Sequence, residues 1–433
     1  MHMRTRLVLL TVAFIVCSGR EATAKGTEGF SVNGLTVIVA PNPATDIIAA
    51  NMYFREGSAR LDPRQAGIER LTLVVATKAT KKYPKNTLSA ALERMDTRLG
   101  ANAGRDYASV TLQCVKENFA KSWDIFADVI LNPLFDSSDV ELERQQMLAA
   151  IRQSRDNPDQ YLQELVMNAF YAGHPYAVPP NGTEQSVRSL SKGDLQEFIK
   201  SHATASQMLL VVVGNTSRAE VESMARASFA GLPQGSYAPV QLPAGEHQAP
   251  SIKIVQRKLP TNYIVGYFSA PSYGSEQSYA MTIAGSILSD RVFDEVRTKR
   301  GLSYAPNAGI GPLFDNYGQV YVTAVKPETT ITVMLNEVKK LQSEPVSEKT
   351  LNDKKNGFLT RYYLNMETNQ SQVEFLARYE LCGAGYKQAD LFVQHIKSVT
   401  PEIIQKCCKD YMRNLQFVLL GNPSSLKLAD FFP

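Results

Sequence analysis

The residue types that carry most enzyme chemistry are few and scattered in this 433-residue chain. The five histidines stand at positions 2, 174, 202, 247 and 395. His174 precedes Pro175 in a turn-like stretch and reads as a structural loop residue. Beyond Cys17, the cysteines are Cys114, Cys382, Cys407 and Cys408, with no C-x-x-C and no Cys/His cluster at zinc spacing. Cys407 and Cys408 are adjacent on a helical pattern, point in different directions and cannot easily share one partner. No G-x-S-x-G nucleophile turn occurs. What remains is a pair in the second half, where Arg297 and Tyr304 stand seven apart across Gly301-Leu302. Arginine offers a fixed charged fork of donors, and tyrosine a neutral hydroxyl. Spacing alone assigns them no task. Arg297 also fits a solvated cation near a helix's negative end, and Tyr304 a half-buried sheet residue. Arg300 reads as a surface charge.

The elements that must position such residues repeat. An extended run Leu35–Val39 is followed by a second at 47–54, and Ile252–Val255 by a second at 263–268. Each half closes on an apolar strand and a Gly-Asn pair, at Gly214-Asn215 and at Gly421-Asn422. The pairs lie 207 residues apart, which implies a duplication of units of roughly 200 residues. Amphipathic periodicity predicts helices over 116–131, 138–156, 159–172, 329–341, 347–364 and 371–381, with Pro133 and Pro158 as punctuation. The expected fold class is α+β, with two homologous α/β sandwich domains in tandem. Each is a mostly antiparallel sheet packed with helices, since several connections allow antiparallel pairing. Gly231 to Pro250 is rich in Pro, Gly and Gln and lacks periodicity. It divides an N-terminal domain at 25–235 from a C-terminal domain at 251–433, with 236–250 as linker and a separate core expected in each half.

Residues 1–24 read as a secretory signal peptide: a basic start, the apolar run Leu7–Cys17 and the A-x-A site Ala22-Thr23-Ala24. Eleven apolar residues are too few to span a bilayer, which takes about 20. An exported protein without stable membrane insertion is expected, in the bacterial periplasm. Removing the segment lowers the net charge from +4 to +2, too small and too dispersed for a nucleic-acid binder.

The stretch Phe54-Arg-Glu-Gly57-Ser58, then Gly67-Ile-Glu-Arg70-Leu-Thr-Leu73-Val74, leading to Thr77-Lys-Ala-Thr80, resembles the inverzincin metallopeptidases. These are the pitrilysin type that includes the mitochondrial processing peptidase. In that family a helix carries H-x-x-E-H. Two histidines four apart grip zinc, the glutamate between activates water, and a later glutamate completes the ligands. Here Arg70 and Val74 fall at the histidine positions, Leu73 at the general base and Ala150 at the later glutamate. Arginine stays protonated and has no lone pair for a metal. The expected metal-ligand set is therefore empty, with no cofactor bound by this chain.

The resemblance extends over essentially all of the chain after residue 24. Leu99 to Gly104, followed by Tyr107 to Leu112, looks like the family's substrate-side edge strand, which makes Asn102, Ala103 and Gly104 candidate substrate-binding residues. Ser289 to Tyr304 is similar to its C-terminal signature. By that match Arg297 and Tyr304 would bond the substrate carbonyl and the oxyanion. One half of a catalytic apparatus is lost and the other kept. This implies a zinc-less subunit of a heteromeric metallopeptidase, inactive alone, whose homologous partner holds zinc and cleaves peptides. The alternative is a peptide-binding or structural scaffold with no catalytic role.

Overall fold

The computed structural model describes residues 26–55, 57–240, 242–243, 245 and 247–422. The signal-like segment lies outside them. The first half runs β1 (Glu28–Val32), β2 (Leu35–Pro41), β3 (Ile47–Arg55), α1 (Ile68–Ala76), α2 (Lys85–Arg94), β4 (Arg98–Ala103) and β5 (Tyr107–Val115). It continues through α3 (Phe119–Leu131), α4 (Ser137–Asp156), α5 (Pro158–Phe170), α6 (Glu184–Ser189), α7 (Lys192–His202), β6 (Met208–Gly214) and α8 (Arg218–Phe229). The second half opens with β7 (Ser251–Gln256), β8 (Asn262–Ser269), α9 (Glu276–Val292), β9 (Asn307–Ile310) and β10 (Tyr317–Ala324). Then come α10 (Pro327–Ser343), α11 (Glu348–Asn365), α12 (Asn369–Leu381), α13 (Phe392–Ser398), α14 (Pro401–Tyr411) and β11 (Gln416–Gly421).

The two sheets share one plan. The first has the order β1-β2-β6-β3-β5-β4 and the second β7-β11-β8-β10-β9. In each, the closing strand runs parallel to the opening strand (β6 with β2, β11 with β7), and every other pair is antiparallel. The duplication read from the Gly-Asn pairs thus appears as matching topology, with β1 an addition to the first half.

β6 is buried at every position because helices cover both faces of its sheet. On one face Leu210 and Val212 join Val37, Ala50 and Met52 with Leu71, Phe126 and Phe198. On the other, Leu209, Val211 and Val213 meet Val373, Leu376 and Ala377 of α12, a helix of the second half. The exchange is reciprocal. Val265, Tyr267, Val418 and Leu420 of the second sheet pack against Leu162, Val166 and Phe170 of α5. Each half therefore has a core of its own, around Leu71 and Phe126 in the first and around Ile283 and Leu288 in the second, and the other face of each sheet packs against a helix of the other half.

Pro158 opens α5 rather than merely ending α4. It is the first helical residue, where a missing N–H costs nothing, and the Asn157 side chain accepts from Asp159 N (3.0 Å) and Gln160 N (3.1 Å). This break between α4 and α5 sends α5 across to the second sheet.

Candidate cleft and the Arg297–Tyr304 corner

α1 starts after Gly67, whose φ of 88° is left-handed backbone. Arg70 and Val74, four apart, share one face of this helix. Together with Ala150 on the neighbouring α4 they line a cleft of about 1160 Å³. Leu73 points away from the cleft and is only 1% exposed in the first-half core. Folding thus brings three of the four matched positions to one cleft. Their donor set does not fit zinc: an arginine and two aliphatic side chains provide no lone pair. Among the described residues no group of three or more His, Cys, Asp or Glu is placed to hold a metal ion. The four described cysteines are free thiols, and Cys114, Cys407 and Cys408 are buried.

Arg297 and Tyr304 are brought together at the far end of α9. That helix continues into a wider turn over Phe293–Thr298. The turn closes with Gly301 N donating to Arg297 O (3.0 Å) and Leu302 N to Val296 O (2.9 Å). Gly301 takes a left-handed φ of 59° there. The Arg297 guanidinium lies 4.7 Å from the Tyr304 ring centre and 4.9 Å from that of Phe293. Its cationic neighbours are occupied: Lys299 pairs with Asp294 (2.8 Å) and Glu295 (2.6 Å), and Arg300 pairs with Glu295. Lys299 and then Arg300 hold the Glu295 carboxyl down at about 2. Among the described residues the Arg297 guanidinium has neither hydrogen bond nor ion pair, so its donors are free. Tyr304 is in a loop and 82% exposed, which removes the half-buried sheet reading. Neither residue lines the cleft beside α1.

Asn102 and Ala103 end β4, an edge strand paired only with β5, and Asn102 is exposed. Gly104 lies just past it, donating its N–H to Tyr107 O and accepting from Ser58 N, both at 2.9 Å.

Two family models match the chain in tandem. Residues 36–184 match the insulinase model of peptidase family M16, and residues 189–358 match the model described as the peptidase M16 inactive domain. The chain belongs to peptidase family M16. A Rickettsia bellii protein called an uncharacterized zinc protease is 25% identical over 336 residues, covering 74% of this chain and 80% of its own. The mitochondrial-processing peptidase subunit beta of Blastocladiella emersonii is 26% identical over 264 residues, 59% of this chain and 55% of its own. A solved M16 inactive-domain structure from Pseudomonas fluorescens superposes with a TM-score of 0.85 at 20% identity, covering 93% of this chain and 99% of that one. This M16 chain has no H-x-x-E-H anywhere in its sequence.

The rest of the M16 cleft contains charged groups that reading for the zinc motif passed over. Glu143 pairs with Lys78 (2.8 Å) and Glu164 with Arg155 (3.3 Å). Arg105 donates from Nε to Tyr176 O (2.8 Å). Ser58 N and Ala59 N hold the loop that carries it, donating to Gly104 O (2.9 Å) and Arg105 O (3.1 Å). His174 is the structural residue its turn suggests. Its Nδ1 accepts from Tyr176 N, its Nε2 lies 3.0 Å from Pro243 O and 3.1 Å from Asp315 Oδ2, and burial lowers its pKa. Glu69 sits inside α1 at 5% exposure with Oε2 unpartnered, and burial pushes its carboxyl up to about 8. The sequence signal for Glu69 was present, a carboxylate among apolar residues, but which face of α1 is buried was not.

Proposed function

We propose that this chain is the zinc-less subunit of a two-protein peptidase. A homologous, zinc-bearing M16 partner holds the metal and the base. This chain contributes Arg297 and Tyr304 to the substrate carbonyl and the oxyanion of the tetrahedral intermediate. The observation that carries the reading is the state of that pair. The Arg297 guanidinium is held against two aromatic faces with no bonded partner among the described residues, Tyr304 is 82% exposed, and both lie outside this chain's own cleft. Donors fixed before the reaction, and unpaired, are what stabilising a developing negative charge requires. A cation–π contact at an exposed site contributes about 0.5–1 kcal/mol, enough to orient the fork without tying up its donors. That a relative is named as a peptidase subunit supports a paired assembly.

Asn102, Ala103 and Gly104 are proposed to lie against substrate, where the open edge of β4 can accept an extended peptide as an added strand. The signal-like start supports export, with the bacterial periplasm as the proposed compartment. Among the described residues no helix is long and apolar enough to cross a membrane.

The test is made on the complex co-purified from its native source, its partner identified by mass spectrometry. Tyr304→Phe removes one hydroxyl and keeps the ring; Arg297→Ala removes the fork. Each is expected to lower turnover by about 100- to 1,000-fold, the loss typical of one oxyanion donor. Complex formation and the partner's zinc content should not change. Full activity in the intact variant complex would leave the scaffold reading in place.

A further inference from the structure

We propose that the cleft standing where M16 relatives place zinc is a binding site for carboxylate-bearing peptides, with Arg70 and Arg105 as the receiving groups. Sorting the cleft's charges leads to this assignment. Its two carboxylates are already satisfied, Glu143 by Lys78 at 2.8 Å and Glu164 by Arg155 at 3.3 Å. The ring nitrogens of His174 are committed, Nδ1 to Tyr176 N and Nε2 to Pro243 O and Asp315 Oδ2 at 3.0 and 3.1 Å. Two guanidinium groups are left. Arg70, among the described residues, has no hydrogen bond or ion pair. The Arg105 guanidinium, among the described residues, makes a single bond, from Nε to the Tyr176 carbonyl. The Asp106 carboxyl beside it is taken up instead by the Tyr176 hydroxyl and by Phe314 N at 3.2 Å.

A half-buried guanidinium without a carboxylate is an incomplete arrangement. Burial lowers the Arg105 pKa, which shows the cost of holding that charge away from water. An incoming carboxylate would offset the cost with paired, charge-assisted hydrogen bonds, which a neutral amide cannot match. Ala150 opposite is exposed and too small to fill the space, so the 1160 Å³ remain open for a ligand. The ligand's peptide character follows from β4. Its unpaired edge ends at Ala103, two residues before Arg105, so a strand added to that edge would end beside the loop that carries this cleft residue.

The carboxylate could be an acidic side chain or a chain terminus, and the peptides used distinguish them. Fluorescently labelled peptides are titrated into the isolated full chain. One pair differs only by Glu against Gln inside the sequence, and the other by a free against an amidated C-terminus. At least one acid is expected to bind about 10- to 100-fold tighter than its amide, the range for a hydrogen bond to a charged group. Arg70→Gln should remove most of that preference. Ala150→Glu, at an exposed position that does not test folding, should remove it by supplying a carboxylate from within. Equal binding of acid and amide in both pairs, no saturable binding at all, or a preference that survives both substitutions would overturn the assignment. Peptide handling is the one element shared with the proposed two-subunit function. No partner and no cleavage enter this assay, so its failure leaves the roles of Arg297 and Tyr304 standing, and theirs leaves the cleft standing.

Discussion

At the residue scale, the chemistry of α1 turns on what replaced the family's ligands. Arg70, Val74 and Ala150 share the cleft but hold no lone pair for a metal, so elemental analysis of chelator-free protein should find no stoichiometric zinc. About one tightly held zinc per chain would overturn that expectation. Glu69, next to Arg70, gives a second prediction. Its carboxyl is raised by burial from 4.5 to about 8, so between those values it is protonated in the fold and ionised in the unfolded chain. Unfolding then releases a proton, and stability falls as pH rises through that window. Glu69→Gln cannot ionise. Its stability relative to wild type should therefore climb from pH 5 to pH 8, by up to about 1.4 kcal/mol per pH unit. Asp106 and Asp315, both pushed up to about 6, also titrate there, but they do so in both proteins and cancel from the difference. Urea midpoints measured across that range decide it; a flat difference rules the idea out.

At the element scale, two glycines hold the two candidate sites in shape for different reasons. Gly57, two residues past the end of β3, has φ 47°, and a Cβ there would lie 2.4 Å from Gly104 O, in the loop that carries Arg105. Gly301 has φ 59° with nothing within 4 Å, so only its backbone conformation resists a side chain. Gly301→Ala should cost about 1 kcal/mol, the penalty for a left-handed residue. Gly57→Ala adds a collision with backbone and should cost on the order of 3 kcal/mol. Denaturant unfolding of the pair tests the order, and equal losses would contradict the packing around Gly57.

At the scale of the whole molecule, the reciprocal packing of α5 and α12 makes the two halves depend on each other. The described residues between Gly231 and Pro250 are almost free of regular structure, and we propose this stretch as the first site of limited proteolysis. After that cut the fragments should stay together in native gel filtration. Separation would strip α12 from the face of Val211 and Val213, and α5 from that of Val265 and Tyr267. Fully buried aliphatic or aromatic side chains contribute about 1.5–3 kcal/mol each. Fragments that part readily without denaturant would show that these shared faces add little.

The sequence by itself determined the family, the tandem duplication and the class of each sheet. Those depend on local patterns: apolar runs that become strands, helical periodicity, and the spacing from Gly67 through Arg70 to Val74 that survives the loss of its chemistry. It also placed the strand starts, with Leu35 and Ile47 opening β2 and β3 as read, while the strands run on to Pro41 and Arg55. Tertiary structure alone decided which helix covers which sheet, because α5 and α12 are amphipathic helices that periodicity cannot assign to a partner. It alone showed, among the described residues, Arg297 resting on Tyr304 with its side-chain donors free, and Arg70 and Arg105 in one cleft without a carboxylate partner. Such facts concern which charges lack a partner, and that depends on residues far apart in the chain: Lys78 with Glu143, Arg105 with Tyr176. A local pattern reports which face of an element is apolar. Only the packed molecule reports which charge has been left unpaired.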